Sequence, residues 1–310
     1  MTREQGPASD AVQPRAANRS QAFKGTLYVL LAASLWGTLG PLMRLLQANG
    51  LTALEIGFYR AAIGGSALFL VARWTSRRPL ERRDLPLFAL YGLVSVAAFF
   101  VLYALSVQYN SIAVAVVLLY TAPAFVILLS WRFFGEPVTG VKAVALVLAF
   151  VGAALVAGVH APRTLAFRAV GIVVGLGSGL TYALFSIFGK IALRRYDPLT
   201  AMGYALLFGA LLLVPVVWAF SGQPAWHVRD LPVGWLAVIG LLPTAGSYAL
   251  YTSGLRWLPP GRASIVAMVE PVVGGVLGWW LFGEALSGPQ LLGGGAILVA
   301  VLLLQRSPEE

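Results

Sequence analysis

Three charged residues, Glu55, Arg60 and Glu270, fall within long apolar stretches of the sequence. A charge held inside a bilayer costs about 2.5–3.5 kcal/mol on insertion scales, so each needs a partner or a task. Glu270 lies some eight residues into its stretch, about 12 Å deep if that stretch is helical, and Pro271 follows it. A carboxylate there could bind an ammonium group or titrate. Equally, it could pair with another side chain and hold helices together. Arg60 could attract a carboxylate, snorkel outward, or bind backbone carbonyls at a helix end. A pairing with Glu270 would need it to reach several ångströms along the helix axes. Glu55 is close enough to a helix end to be solvated.

Aromatic residues make up 12% of the chain, and they divide into two sets. Trp74, Trp131, Trp218, Trp226, Trp257 and Trp280 fall near the ends of apolar stretches, where indole rings form interfacial belts. Trp36, Tyr91, Tyr103, Tyr120, Tyr182, Tyr248 and Tyr251 fall further in. Their polar tips need partners in a dry setting. Each alone reads most simply as helix packing. Together with Thr121, Ser186, Ser253 and Glu270 they outline a polar, aromatic pocket suited to stacking a flat ring and hydrogen-bonding its polar ends.

The elements that must position these residues are helices. The chain has 310 residues, 59% hydrophobic and 11% charged, against roughly 25% charged in a soluble domain. Ten apolar runs long enough for a bilayer are read at 25–43, 54–72, 85–106, 111–131, 141–159, 170–189, 199–220, 232–255, 262–282 and 289–304. The alternation of a membrane barrel is absent. The fold class expected is an all-α membrane protein with ten transmembrane helices.

Charge distribution orients them. With the N-terminus inside, seventeen Lys and Arg fall on the cytoplasmic side, against Arg44, Arg163, Arg168 and Arg229 outside. That bias places both termini in the cytoplasm of a multi-pass inner-membrane protein. The net charge of +10 therefore faces anionic lipid and implies no nucleic-acid partner. Residues 1–24 read as a disordered cytoplasmic tail and 305–310 as a short C-terminal one. The chain has no cysteine, and its two histidines, His160 and His227, fall in expected outer loops, which leaves no metal cluster or Ser–His pair for the interior. No phosphate-binding Gly-x-x-x-x-Gly-Lys-(Ser/Thr) loop occurs. No cofactor is expected, and a membrane-embedded enzyme or receptor is disfavoured.

The sequence also repeats. At an offset of 148, Tyr103 meets Tyr251, Pro123 meets Pro271, Gly135-Glu136 meets Gly283-Glu284, and Thr139-Gly140 meets Ser287-Gly288. At an offset of 146, Gly25 meets Gly171, Trp36 meets Tyr182, Arg44 meets Lys190, and Pro86 meets Pro232. A two-residue loop insertion between helices 3 and 4, or nearby, would account for the change. The expected units are 25–160 and 170–304, five helices each. An odd number of crossings inverts the second copy, the arrangement of secondary transporters with a site near the midplane. Because Glu136 and Glu284 would lie on opposite faces, their plainer reading is structural: Gly ends one helix and Glu favours the N-terminus of the next. A gate on each face is the alternative. Glycines at 171, 175 and 179 share one helix face and suit internal packing, so a monomer is expected.

Two five-helix copies over residues 25–304, each with a proline-bearing helix followed by Gly-Glu (Pro123 with Gly135-Glu136, Pro271 with Gly283-Glu284), resemble the EamA family of the drug/metabolite transporter superfamily. The tyrosine-rich interior looks most like the bacterial aromatic amino acid exporters (the YddG type). The resemblance implies an inner-membrane carrier with a central cavity walled by helices 1, 3, 4, 6, 8 and 9, and a cytoplasm-to-outside direction. The cargo expected is a small amphipathic metabolite, an aromatic amino acid first. A cationic drug or quaternary amine would suit Glu270 and the rings without Arg60.

Overall fold

The computed structural model describes residues 13–76, 80–159, 168–222 and 232–306, and every regular element among them is helical. The first half comprises α1 (Gln13–Gly37), α2 (Leu39–Ala48), α3 (Ala53–Thr75), α4 (Leu85–Gly92), α5 (Phe99–Tyr109), α6 (Ile112–Leu119), α7 (Ala122–Phe134) and α8 (Gly140–Val156). The second comprises α9 (Ala169–Ala192), α10 (Pro198–Ser221), α11 (Val233–Gly240), α12 (Ser247–Gly254), α13 (Pro260–Ala267), α14 (Glu270–Phe282) and α15 (Gly288–Arg306). Among the described residues nine helical stretches are long and apolar enough to cross a membrane, and Gly140–Val156 is a shorter apolar helix of 17 residues. At 1.5 Å per residue it reaches about 26 Å, slightly less than a bilayer core.

Local chemistry sets the boundaries. Thr52 caps α3 through the Glu55 amide, and Glu55 answers with a carboxylate bond of 2.7 Å to the Thr52 amide. Glu55 is thus a buried capping group, not a solvated one. Asp197 caps α10 through the amides of Leu199 and Thr200. Gly135 and Gly283 end α7 and α14 at φ of 68° and 67°, a left-handed conformation that costs a residue with a side chain. Their part of the Gly-Glu motif behaves as expected. The caps of α8 and α15, however, are Thr139 and Ser287 with Gln290. The glutamates go elsewhere, as described below.

Two departures from the sequence reading concern register and the tail. Helix α1 begins at Gln13, so residues 13–24 are helical where a disordered tail was expected; residues 1–12 lie outside the described residues. Helix α15 runs to Arg306, and 307–310 are likewise undescribed. Elements α4, α6 and α7 recur as α11, α13 and α14 at the same bounds plus 148. The offset has therefore already changed at residue 85, between α3 and α4. Pro86 and Pro232 do not correspond: Pro86 is the second residue of α4, whereas Pro232 precedes α11. Six-residue π-helical segments at 93–98 and 241–246, the latter containing Pro243, obey the same offset. His160, His227 and Trp226 lie outside the described residues.

Packing follows small residues. A methyl group on Gly152 of α8 would meet the Gly293 carbonyl of α15 at 2.5 Å, and one on Gly293 would meet that of Gly152 at the same distance. These two helices thus touch backbone to backbone. The glycine face of α9 lies against Asn110, Ser106, Leu118 and Thr121, as its spacing suggested. Contacts fix two ends of the bundle. One gathers Gly25, Ser76, Asp84, Glu136, Lys190 and the 255–261 turn; the other gathers Arg44, Asn110, Val156, Arg168 and Glu284. They are called here the first and second ends.

Candidate functional site

Two helix breaks build the site. Pro123 and Pro271 each lack an amide proton, so the carbonyls four residues earlier, Leu119 and Ala267, lose their helical partner. The chain breaks between α6 and α7 at Tyr120-Thr121 and between α13 and α14 at Met268-Val269. Glu270 occupies the first turn of α14. Around it lies a cavity lined by Tyr120, Pro123 and Val126 from the first break, Tyr182 and Ser186 from α9, Tyr251 from α12, and Ser264 and Met268 from the second break. The cavity volume is about 20 Å³, room for about one water, so the walls stand nearly closed around Glu270.

Glu270 and Arg60 are not an ion pair. Among the described residues the pairs within 4 Å are Arg44–Glu284, Arg83–Glu81, Lys142–Glu136 and Arg195–Asp84. Arg60 is buried, donates through Nε to Thr244 Oγ1 at 3.1 Å, and lies 5.2 Å from the Phe100 ring centroid. It does not snorkel, and it is not among the residues that line the cavity. Thr244 in turn donates to the Ile239 carbonyl, five residues back in the π-helical segment.

Of the sequence candidates, Tyr120, Tyr182, Ser186, Tyr251 and Glu270 share the cavity. Ser186 Oγ and the Tyr251 hydroxyl are 2.7 Å apart, joining α9 to α12. Trp36 and Tyr248 back this wall: Trp36 packs on Tyr182 at 6.2 Å, Tyr248 at 5.6 Å and Tyr251 at 5.3 Å between ring centroids. Tyr103 stacks at 6.1 Å on Phe99, which stacks at 5.4 Å on Tyr182.

Three candidates fall elsewhere. Tyr91 is fully buried and donates to the Phe185 carbonyl, with Met202 Sδ at 3.2 Å, behind the aromatic wall. Thr121 returns its hydroxyl to the Leu118 carbonyl at 2.6 Å and packs against Gly179. Ser253 lines a separate cleft at the first end, with Arg194, Arg195 and Arg256. The sequence reading missed Ser264 and Met268. The signal for them was their place on the turns leading into the Glu270-Pro271 break.

Glu136 is 8% exposed; its Oε1 accepts from Lys142 Nζ at 2.8 Å and its Oε2 from the Gly261 amide at 3.2 Å. It therefore serves the N-terminus of α13, not that of the following α8. Glu284 instead meets Arg44 at 2.5 Å, with both side chains half exposed or more.

The chain matches a known family model twice, over residues 23–158 and 169–306; its description is "EamA-like transporter family". The chain belongs to that family. An uncharacterized transporter of Archaeoglobus fulgidus is 32% identical over 284 residues, 91% of this chain and 96% of that one. The uncharacterized transporter YwfM of Bacillus subtilis is 28% identical over 287 residues, covering 92% and 95%. The threonine/homoserine exporter RhtA of Escherichia coli is 33% identical over 271 residues, covering 86% and 84%. A crystal structure superposes with a TM-score of 0.74 at 17% identity over 94% of this chain and 96% of that one, a likeness of fold. The EamA membership expected from the Gly-Glu motifs holds, whereas narrowing it to the aromatic exporters finds no support in these relatives.

Proposed function

We propose that the protein is a secondary transporter of the bacterial inner membrane that exports a small zwitterionic amino acid by alternating access. Two inverted five-helix halves, residues 25–160 and 170–304, rock about the cavity, and both termini lie in the cytoplasm. The first end is then cytoplasmic and the second end external. Recurrence of helix bounds at an offset of 148, the double family match and the Lys/Arg bias support this arrangement.

One observation carries the cargo class: the Glu270 carboxylate, free of any ion pair among the described residues, faces a cavity of tyrosines at a helix break. The carboxylate suits a substrate ammonium group, and the hydroxyls of Tyr120, Tyr182, Ser186 and Ser264 suit its carboxylate. RhtA is named for threonine and homoserine, and the stacked rings leave aromatic cargo as the alternative side-chain class. A quaternary amine is the second reading: Arg60 is absent from the cavity lining, and Glu270 with the rings would suit a cation that carries no carboxylate.

Counterflow into liposomes loaded with unlabelled amino acid tests the reading, with labelled threonine, phenylalanine and a choline-like amine in separate arms. Threonine or phenylalanine uptake above empty liposomes supports it and fixes the side-chain class. Uptake of the amine alone overturns the amino acid.

A further inference from the structure

Each end of the bundle carries one cation and one carboxylate at corresponding positions. Lys190 corresponds to Arg44 at the 146 offset, and Glu136 to Glu284 at the 148 offset. At the first end both grip the turn that joins α12 to α13. Lys190 Nζ donates to the carbonyls of Leu255 and Leu258, the latter at 3.2 Å, and Glu136 accepts the Gly261 amide. Leu255 caps the end of α12, Leu258 lies in the turn that follows, and the Gly261 amide is one that the first turn of α13 leaves without a helical partner. The grip is tight, because a methyl group on Gly261 would come 2.7 Å from Glu136 Oε1.

At the second end the corresponding turn joins α5 to α6, with Val107 and Asn110 in place of Leu255 and Leu258, and Ala113 in place of Gly261. Arg44 and Glu284 hold each other instead, at 60% and 50% exposure. They offer the same cation and carboxylate as Lys190 and Glu136, and the Ala113 methyl group means that Glu284 would have to sit a little further from its amide than Glu136 does from that of Gly261. Gln290 stands where Lys142 does, so Glu284 lacks the second cation that pins Glu136.

We propose that Lys190 with Glu136 is a clamp holding the cytoplasmic end shut, and that Arg44 with Glu284 is the matching clamp of the outer end, disengaged in this structure. In the opposite state Arg44 takes the Val107 and Asn110 carbonyls and Glu284 takes the Ala113 amide. Lys190 and Glu136 then release their turn. A pair bonded within one clamp marks an open end; a pair bonded to the opposite helical turn marks a closed one. Ala113 has a methyl group where Gly261 has none, so the outer clamp is the looser and the outward-open state the resting one. The inference rests on the alternating-access reading but not on any cargo.

Because the chain has no cysteine, spin labels can be placed without removing any. Exposed pairs Val138–Arg256 and Gln108–Ala285 report the first and second ends. In unliganded protein in nanodiscs, E136Q/K190M lengthens the first distance and shortens the second, moving the population ratio by about fivefold or more. Adding R44M/E284Q reverses that shift. Gly261→Ala, a milder change that keeps every charge, moves both distances in the same direction as E136Q/K190M should the double variant fold poorly. Folded E136Q/K190M or Gly261→Ala protein with unmoved distances overturns the clamp, even where wild type shows two populations. Both ends lengthening together, or one fixed distance at each end under all conditions, overturns alternating access itself.

Discussion

Ser186 on α9 and Tyr251 on α12 are separated by 65 positions in the chain and by 2.7 Å between hydroxyl oxygens. Their contact closes one wall of the cavity that holds Glu270. It also explains why a serine sits on the aromatic face of α9: an apolar residue there would leave a buried phenol without a partner, at about 1–3 kcal/mol.

Ser186→Ala and Tyr251→Phe are each expected to lower thermal stability in detergent, with the double variant losing less than the sum. A coupling of about 0.5–1.5 kcal/mol is expected from a double-mutant cycle. Strict additivity would show that the two hydroxyls act separately.

Glu270→Gln removes charge but keeps shape. If the carboxylate binds the substrate ammonium, the half-saturating substrate concentration in counterflow should rise about tenfold or more, since a hydrogen bond to a charged group contributes about 1.5–3 kcal/mol. Folded yield should stay near wild type, because no ion pair is broken. Unchanged affinity with an altered yield would assign Glu270 to packing. The same variant decides proton coupling: a pH-gradient response that survives it retires Glu270 as the carrier.

Gly293→Leu forces a side chain into the α8–α15 contact, where even a methyl group would lie 2.5 Å from the Gly152 carbonyl. Overpacking of this kind costs about 1–3 kcal/mol. A clear drop in melting temperature is expected, without a change in cargo preference; wild-type stability would mean that the helices separate freely.

Asp197 predicts a pH limit. Burial acts to raise its carboxyl, but bonds from Ser76, the Thr200 hydroxyl and backbone amides outweigh it and hold the group below its ordinary value of 3.8. A depressed native value means stability that is fully present above the unfolded value and lost as pH falls through the folded one. Asp197→Ala should cost about 1 kcal/mol at neutral pH and flatten the acid limb of the stability profile below about pH 4. An acid limb unchanged by the substitution would contradict this account.

Much of the site was legible because prolines and intramembrane charges leave strong one-dimensional signals. Pro123, Pro271 and Glu270 could be marked from the sequence, and the breaks fall beside them. Tyr91 and Tyr103 could not be told apart that way, since both are tyrosines on the same span. Tyr91 points behind Phe185, and Tyr103 stacks on Phe99 toward the cavity. Ser253, two residues from Tyr251, faces a different cleft, because neighbouring positions on a helix turn by about 100°.

What the sequence by itself determined is periodic or compositional: apolar helices, all but one of them long enough to cross a membrane among the described residues, and their recurrence at a fixed offset. These follow from local backbone hydrogen bonding and apolar length, which need no knowledge of neighbours. Only the tertiary structure decided that Glu136 serves the amide of Gly261, that Arg60 turns to Thr244, and that Glu284 meets Arg44. Their partners lie 125, 184 and 240 positions away, and a polar side chain in a dry interior goes to whichever unsatisfied group the packing of helices brings within reach.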